Sequence, residues 1–317
     1  MPRSRFRLLA LDVDGTLLDS SGVLRPRTAE AVARASRAGL RPILCTGRRY
    51  RRALPIAQAL GLDAPLVCNS GAIIKNPRND QTLWRADFDP DLARDVQALF
   101  QSHDQPMVVF NDLAATECDF TVPAYPTGRA LVDEYVSLNI EHALVQPAFN
   151  LAGRALFHVC AMGTRAEMTA FETVVKQTLG GRVQTYVQKS PRYTGTMCEL
   201  LRHDAGKWTA IERLASEWGV DKSEICAVGD DVNDLAMIRH AGLGVAMGHA
   251  PECVRLAADQ ITGHDDEDGL AMLVESLLLE SKGSGLFDAG SCQRGSQVEL
   301  LESKSLDTFV SNSINES

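Results

Sequence analysis

The chain has 317 residues, of which 45% are hydrophobic and 23% charged, with a formal net charge of −9. That is enough apolar material for one large globular domain or two modest ones. The acidic balance argues against nucleic acid or an anionic membrane as a main partner, but not against a small anionic substrate, which needs only local positive charge. Apolar runs are strand-length and stop well short of the ~20 residues of a membrane span. The basic start, residues 1–7, lacks the apolar stretch of a signal peptide. The 8 cysteines are scattered, with no C-x-x-C pair; reduced core thiols in a cytoplasmic protein are expected.

In chain order, residues 6–11 read as a buried strand, 26–38 as a helix ended by Gly39, and 41–45 as a strand. Residues 50–60 follow as a helix ended by Gly61, and 66–68 as a strand. Such alternation marks a parallel α/β sheet. From about Trp84 the segments are mixed, with proline-bearing loops at Pro123, Pro126 and Pro147. Within them 156–162 and 182–188 read as strands, and 165–179 as a helix. Alternation resumes near Thr196: Trp208, Ile211, Leu214, Ala215 and Trp218 recur at helical spacing. Then come strands at 225–228 and 243–246, a helix at 235–241, and helices at 251–258 and 269–279. The expected fold class is therefore α/β. A Rossmann-like parallel core is built from residues 1–84 and 194–281, and an α+β cap domain is inserted at 85–193. Residues 282–317, rich in Ser, Gly and polar side chains, are expected to be a disordered tail that the core does not need.

Chemistry concentrates where strands end. Asp12-Val13-Asp14-Gly15-Thr16 puts two carboxylates two residues apart at the carboxyl end of an apolar strand, the end at which open parallel sheets bind ligands. Gly15 permits a sharp turn there. Thr46-Gly47-Arg48, Asn69-Ser70-Gly71 and Gly229-Asp230-Asp231-Val232-Asn233-Asp234 follow three other expected strands. Any one of them, met alone, reads as a polar turn or a helix N-cap. Together they would meet along one rim of the sheet. Arg48, Arg49, Arg51 and Arg52 form the densest basic run, read as a solvated helix face except for Arg48. The acidic run at 265–268 does not fit EF-hand spacing and reads as a solvated loop and helix start.

In order and spacing these motifs, with Lys207 and the run Ala246-Met247-Gly248-His249-Ala250-Pro251-Glu252, resemble the haloacid dehalogenase-superfamily phosphatases. The branch is the Cof-type one (subclass IIB), which carries a large α/β cap. The likeness covers roughly residues 6–280. One departure is His249, where that branch leads one to expect Asn.

The resemblance implies a Mg²⁺ held by the Asp12 carboxylate, the Asp14 backbone carbonyl and the Asp230 carboxylate, with Asp234 supporting from behind. Electrostatics agrees, since three carboxylates in one pocket repel by ~1–4 kcal/mol per close pair and a divalent cation removes that penalty. Asp12 would be the nucleophile, forming an aspartyl-phosphate, and Asp14 the general acid and base. Thr46, Gly47, Lys207 and Asn233 would hold the phosphoryl group, and Arg48, Asn69 and Glu199 would reach the substrate. The implied activity is hydrolysis of a small phosphomonoester such as a sugar phosphate. A phosphomutase sharing the aspartyl-phosphate, or a non-catalytic protein that binds phosphorylated metabolites, is the alternative. No nucleic-acid or membrane partner is expected, and the oligomeric state stays open.

Overall fold

A computed structural model describes residues 5–113, 117–146, 155–189 and 193–283 of the chain. Five parallel strands form one sheet, in the spatial order Gln260–Ile261, Leu243–Ala246, Ile225–Gly229, Leu8–Leu11, Arg41–Leu44. Leu8–Leu11 is apolar throughout and wholly buried, as a strand covered on both faces must be. Successive side chains take opposite faces. Leu9 and Leu11 pack with Ala31, Val32 and Ala35 of the helix Pro26–Arg37 and with Leu270 and Val274 of the helix Gly269–Gly283. Leu8 and Ala10 pack with Ala210, Ile211 and Leu214 of the helix Lys207–Glu217. The fold is α/β with a parallel core sheet.

Strand register sets the rim of that sheet. Leu11 stands opposite Val228 on one side and Leu44 on the other. Three chain segments therefore leave the sheet level with one another, at Asp12, Cys45 and Gly229. Backbone bonds carry the register past the last pairs: Asp12 N–H donates to Val228 O at 3.0 Å and Cys45 N–H to Leu11 O at 2.8 Å. Leu66–Cys68 adjoins this sheet through a single parallel bridge between Cys45 and Val67. Its main pairing is antiparallel, with Ile73–Lys75 and then Thr82–Arg85.

A second sheet of six strands runs Val183–Lys189, Thr196–Arg202, His158–Gly163, Val108–Phe110, Phe120–Val122, Ala143–Val145. Its pairings are antiparallel except the last, which is parallel. One face is covered by the helices Pro90–Ser102 and Arg165–Leu179, through Val96, Phe100, Phe171 and Val175 packed on Val159, Ala161, Cys198 and Leu200. Phe110, Cys160, Met162 and Met197 point the other way and join the larger hydrophobic cluster that includes the core sheet.

Three expectations need correction. Thr196–Arg202 belongs to the six-stranded sheet, paired with Val183–Lys189 and His158–Gly163. The return to the parallel sheet therefore lies after Arg202, not at residue 194. The helix expected at 251–258 is only Glu252–Arg255. The last helix continues from Gly269 to Gly283, beyond the expected 279 and into the segment read as tail. Residues 284–317 and the loop at Pro147 lie outside the described residues. Among the described residues no helix is long and apolar enough to cross a membrane.

Candidate active site

At the rim, Lys207 Nζ lies 2.6 Å from Asp12 Oδ1 and 2.6 Å from Asp234 Oδ1. All three side chains are buried. Asp234 is fully committed, since its other oxygen accepts from the backbone N–H of Asp230 at 3.0 Å and of Asp231 at 3.1 Å. One carboxylate thus shapes the Asp-rich turn and anchors the lysine. Asp231 accepts from Val232 N–H as an N-cap. Lys207 opens its helix directly after Gly206. Gly71 makes that placement possible: its φ is +92°, and a Cβ there would come 2.1 Å from the Gly206 carbonyl carbon.

Asp230 completes the group. Its Oδ1 accepts from Thr16 Oγ1 at 3.3 Å, and its Oδ2 faces His249 Nε2 at 3.7 Å. Gly15, with φ +74°, lets the carboxylate lie against the backbone, where a Cβ would come within 2.4 Å of Oδ2. Asp12, Asp230 and Asp234 each offer an oxygen within 4.8 Å of the others. Asp14 points elsewhere, into a two-pronged pair with Arg48 at 2.7 and 2.6 Å. Thr46 Oγ1 accepts from Arg48 N–H at 3.1 Å, and Gly47 and Asn233 line the adjoining cleft.

Burial pushes the Asp12 carboxyl well above its ordinary range; Lys207 opposes the rise, and Asp234 and Asp230 add to it. Burial alone would lower the Lys207 ammonium, but Asp12 and Asp234 outweigh it and hold the lysine above its ordinary value. Asp230 is raised by burial, against the His249 contact. One lysine thus serves Asp12 and Asp234, while Asp230 has His249 beside it.

A cleft of about 460 Å³ opens over this group. Asp12, Asp14, Gly47, Asp230 and Asn233 line one side, and Phe110, Tyr135, Tyr193, Met197, Gln188 and Glu199 of the six-stranded region line the other. Polar contacts tie the two halves together. Ser70 Oγ donates to Glu199 Oε2 at 2.7 Å, and burial pushes the Glu199 carboxyl up to about 7 against the bonds from Ser70 and Gln188. Asn69 Nδ2 meets His158 Nδ1 at 3.1 Å, which leaves the ring proton on Nε2, 3.6 Å from Glu199. Burial pushes His158 down to about 3, so the ring is neutral.

A family model for haloacid dehalogenase-like hydrolases matches residues 9–274. The chain belongs to that family. Among relatives of this hydrolase is a putative phosphatase of Haemophilus influenzae, 27% identical over 277 residues that cover 85% of the chain and 97% of the relative. Another is a pyridoxal phosphate phosphatase of Escherichia coli, 26% identical, with 86% and 99% covered. A solved haloacid dehalogenase-like hydrolase from Bacteroides thetaiotaomicron superposes with a TM-score of 0.70 over 86% of this chain and 99% of its own, at 24% identity, a likeness of fold.

The hydrolase's donor set fits a divalent cation of the Mg²⁺ kind. Asp12 and Asp230 present hard oxygens close together, Asp234 is taken up by Lys207 and two amides, and Lys207 is the one ammonium that Asp12 and Asp234 share. Asp12, Asp14, Thr46, Gly47, Lys207, Asn233, Asp230 and Asp234 come together where the strands end. Arg48 is paired with Asp14. Asn69, expected to reach the substrate, pairs with His158.

The basic run is also corrected. Arg49 and Arg51 both reach buried Asp119 at 2.9 Å, and Arg49 and Arg52 reach Asn139; this face is docked, not solvated. In the acidic run Asp265 is buried on its side chain and Asp268 pairs with Arg25. Sequence reasoning missed the aromatic wall of Tyr135 and Tyr193 and the partner His158, which carry no motif. Ser70 lay inside a quoted motif and could have been singled out.

Proposed function

We propose that this hydrolase is a Mg²⁺-dependent phosphatase that removes the phosphoryl group of a small phosphomonoester through an aspartyl-phosphate on Asp12. The enzyme class, a phosphatase, follows from its kinship. The observation that supports the mechanism is the convergence of Asp12, Lys207 and Asp230, from three separate strand or helix ends, at the base of one cleft.

The Asp12 and Asp230 carboxylates and the Asp14 backbone carbonyl would hold the cation, which when bound neutralises the acidic pocket and draws charge from the phosphoryl oxygens. Lys207 engages one oxygen of Asp12 and leaves the other to attack phosphorus. The lysine also stabilises charge that spreads over the transferring group, and the Thr46–Gly47 turn and Asn233 bind its remaining oxygens. Asp14 protonates the leaving oxygen and then takes a proton from the hydrolytic water. Arg48 engages both oxygens of Asp14, so the acid step requires that pair to open, and the entering phosphate offers Arg48 another anionic partner. The six-stranded half excludes bulk water and contacts the leaving group.

Incubation with a panel of phosphorylated metabolites, read as inorganic phosphate, tests this reading. Release that stops on chelation with EDTA and returns with Mg²⁺ is expected. Indifference to chelation would overturn the metal's role. A hexose monophosphate returned isomerised, with no phosphate freed, would point to a mutase. Binding without turnover would point to a non-catalytic protein.

A further inference from the structure

We propose that His249, His264 and Asp265 form a second metal site, for a divalent transition ion of the zinc class, beside the acidic pocket. One ligand atom of each lies within 4.8 Å of the others. His249 Nδ1 and Asp265 Oδ1 are 3.3 Å apart, about the ligand-to-ligand spacing of a tetrahedral zinc site. Two imidazoles and one carboxylate suit zinc, cobalt or nickel far better than Mg²⁺, which demands oxygen. The set leaves at least one coordination position for water.

Three further observations separate this cluster from a chance meeting of surface side chains. His249 Nδ1 is buried yet makes no hydrogen bond, even with Asp265 beside it. The other nitrogen of the same ring faces the Asp230 carboxylate at 3.7 Å. Metal-ligating histidines commonly turn their other nitrogen to a carboxylate; His249 has that orientation toward Asp230, at a distance beyond a direct hydrogen bond, with Nδ1 left to the metal.

The loops are also tied together. Gly248 N–H donates to Gly263 O at 3.1 Å, and Gly269 N–H to His264 O at 2.9 Å. The two rings stand 5.3 Å apart, and His264 is exposed.

The test is titration of Co²⁺ into the full chain with Mg²⁺ in large excess, following visible ligand-field absorption and bound metal by equilibrium dialysis. One retained Co²⁺ per chain is expected, with the intense absorption of a low-coordinate, imidazole-bearing site. His264→Ala should weaken it at least about tenfold and leave Mg²⁺-supported phosphate release unchanged. Asp265→Asn serves as a second variant with the same expected loss of Co²⁺. Co²⁺ that Mg²⁺ displaces completely, or equal Co²⁺ binding by wild type and both variants, would overturn the site. Neither readout depends on turnover, so failure here is separable from failure of the phosphatase reading.

Discussion

Lys207 carries the electrostatics of the site at the scale of single residues. It is buried, and its ammonium is the shared partner of Asp12 and Asp234. Removing one member of a buried ion pair strands the opposite charge. Lys207→Ala is therefore expected to lower unfolding free energy by about 3 kcal/mol in urea denaturation and to abolish phosphate release. A variant as stable as the wild type would show that the two acids do not need the lysine. Lysine in a helix's first turn is ordinarily solvated, and only the family likeness singled this one out; its burial depends on Gly71 and Gly206, far apart in sequence, meeting in space.

Between elements, the six-stranded sheet is joined to the core by buried polar groups, and these set a pH dependence. Glu199 has an ordinary value of 4.5 and is pushed up to about 7 by burial. The folded state then holds a proton that the unfolded state has already lost. Its destabilising contribution is absent below about pH 4.5, grows through the interval and is complete above pH 7, on the order of 3 kcal/mol. Glu199→Gln should narrow that loss, so the stability gap between variant and wild type widens from pH 5 to pH 7.5. A gap constant with pH would contradict the burial of an ionisable Glu199.

Asp119→Ala should cost about 3 kcal/mol in chemical denaturation by stranding Arg49 and Arg51. A change near zero would mean the arginines find water instead. Four of the five parallel strands were legible in the sequence because each is a short, largely apolar run ended by a polar motif; Gln260–Ile261, two exposed residues, was not. The helix Pro90–Ser102 was less so, although Asp89 caps it and proline takes its first position. The expected boundary at residue 194 places Thr196–Arg202 with the core because its run Thr-Met-Cys-Glu-Leu-Leu suits either sheet. Which strand pairs with which is a long-range property.

For the whole molecule, the cleft exists only because two sheets, each built largely from its own stretch of chain, close on one another. The rim of the parallel sheet supplies charge, and the six-stranded region supplies an aromatic and amide-bearing wall. The charged half was readable as motifs, since chemistry restricts those residue types. The wall was not, because Phe110, Tyr135 and Tyr193 look in sequence like any core residue.

The central claim is that buried Asp12 is the nucleophile, and the rate of Asp12→Asn with p-nitrophenyl phosphate in saturating Mg²⁺ tests it most directly. A folded variant at least about a thousandfold slower than wild type is the expected result. A folded variant keeping about a tenth or more of the wild-type rate would contradict it.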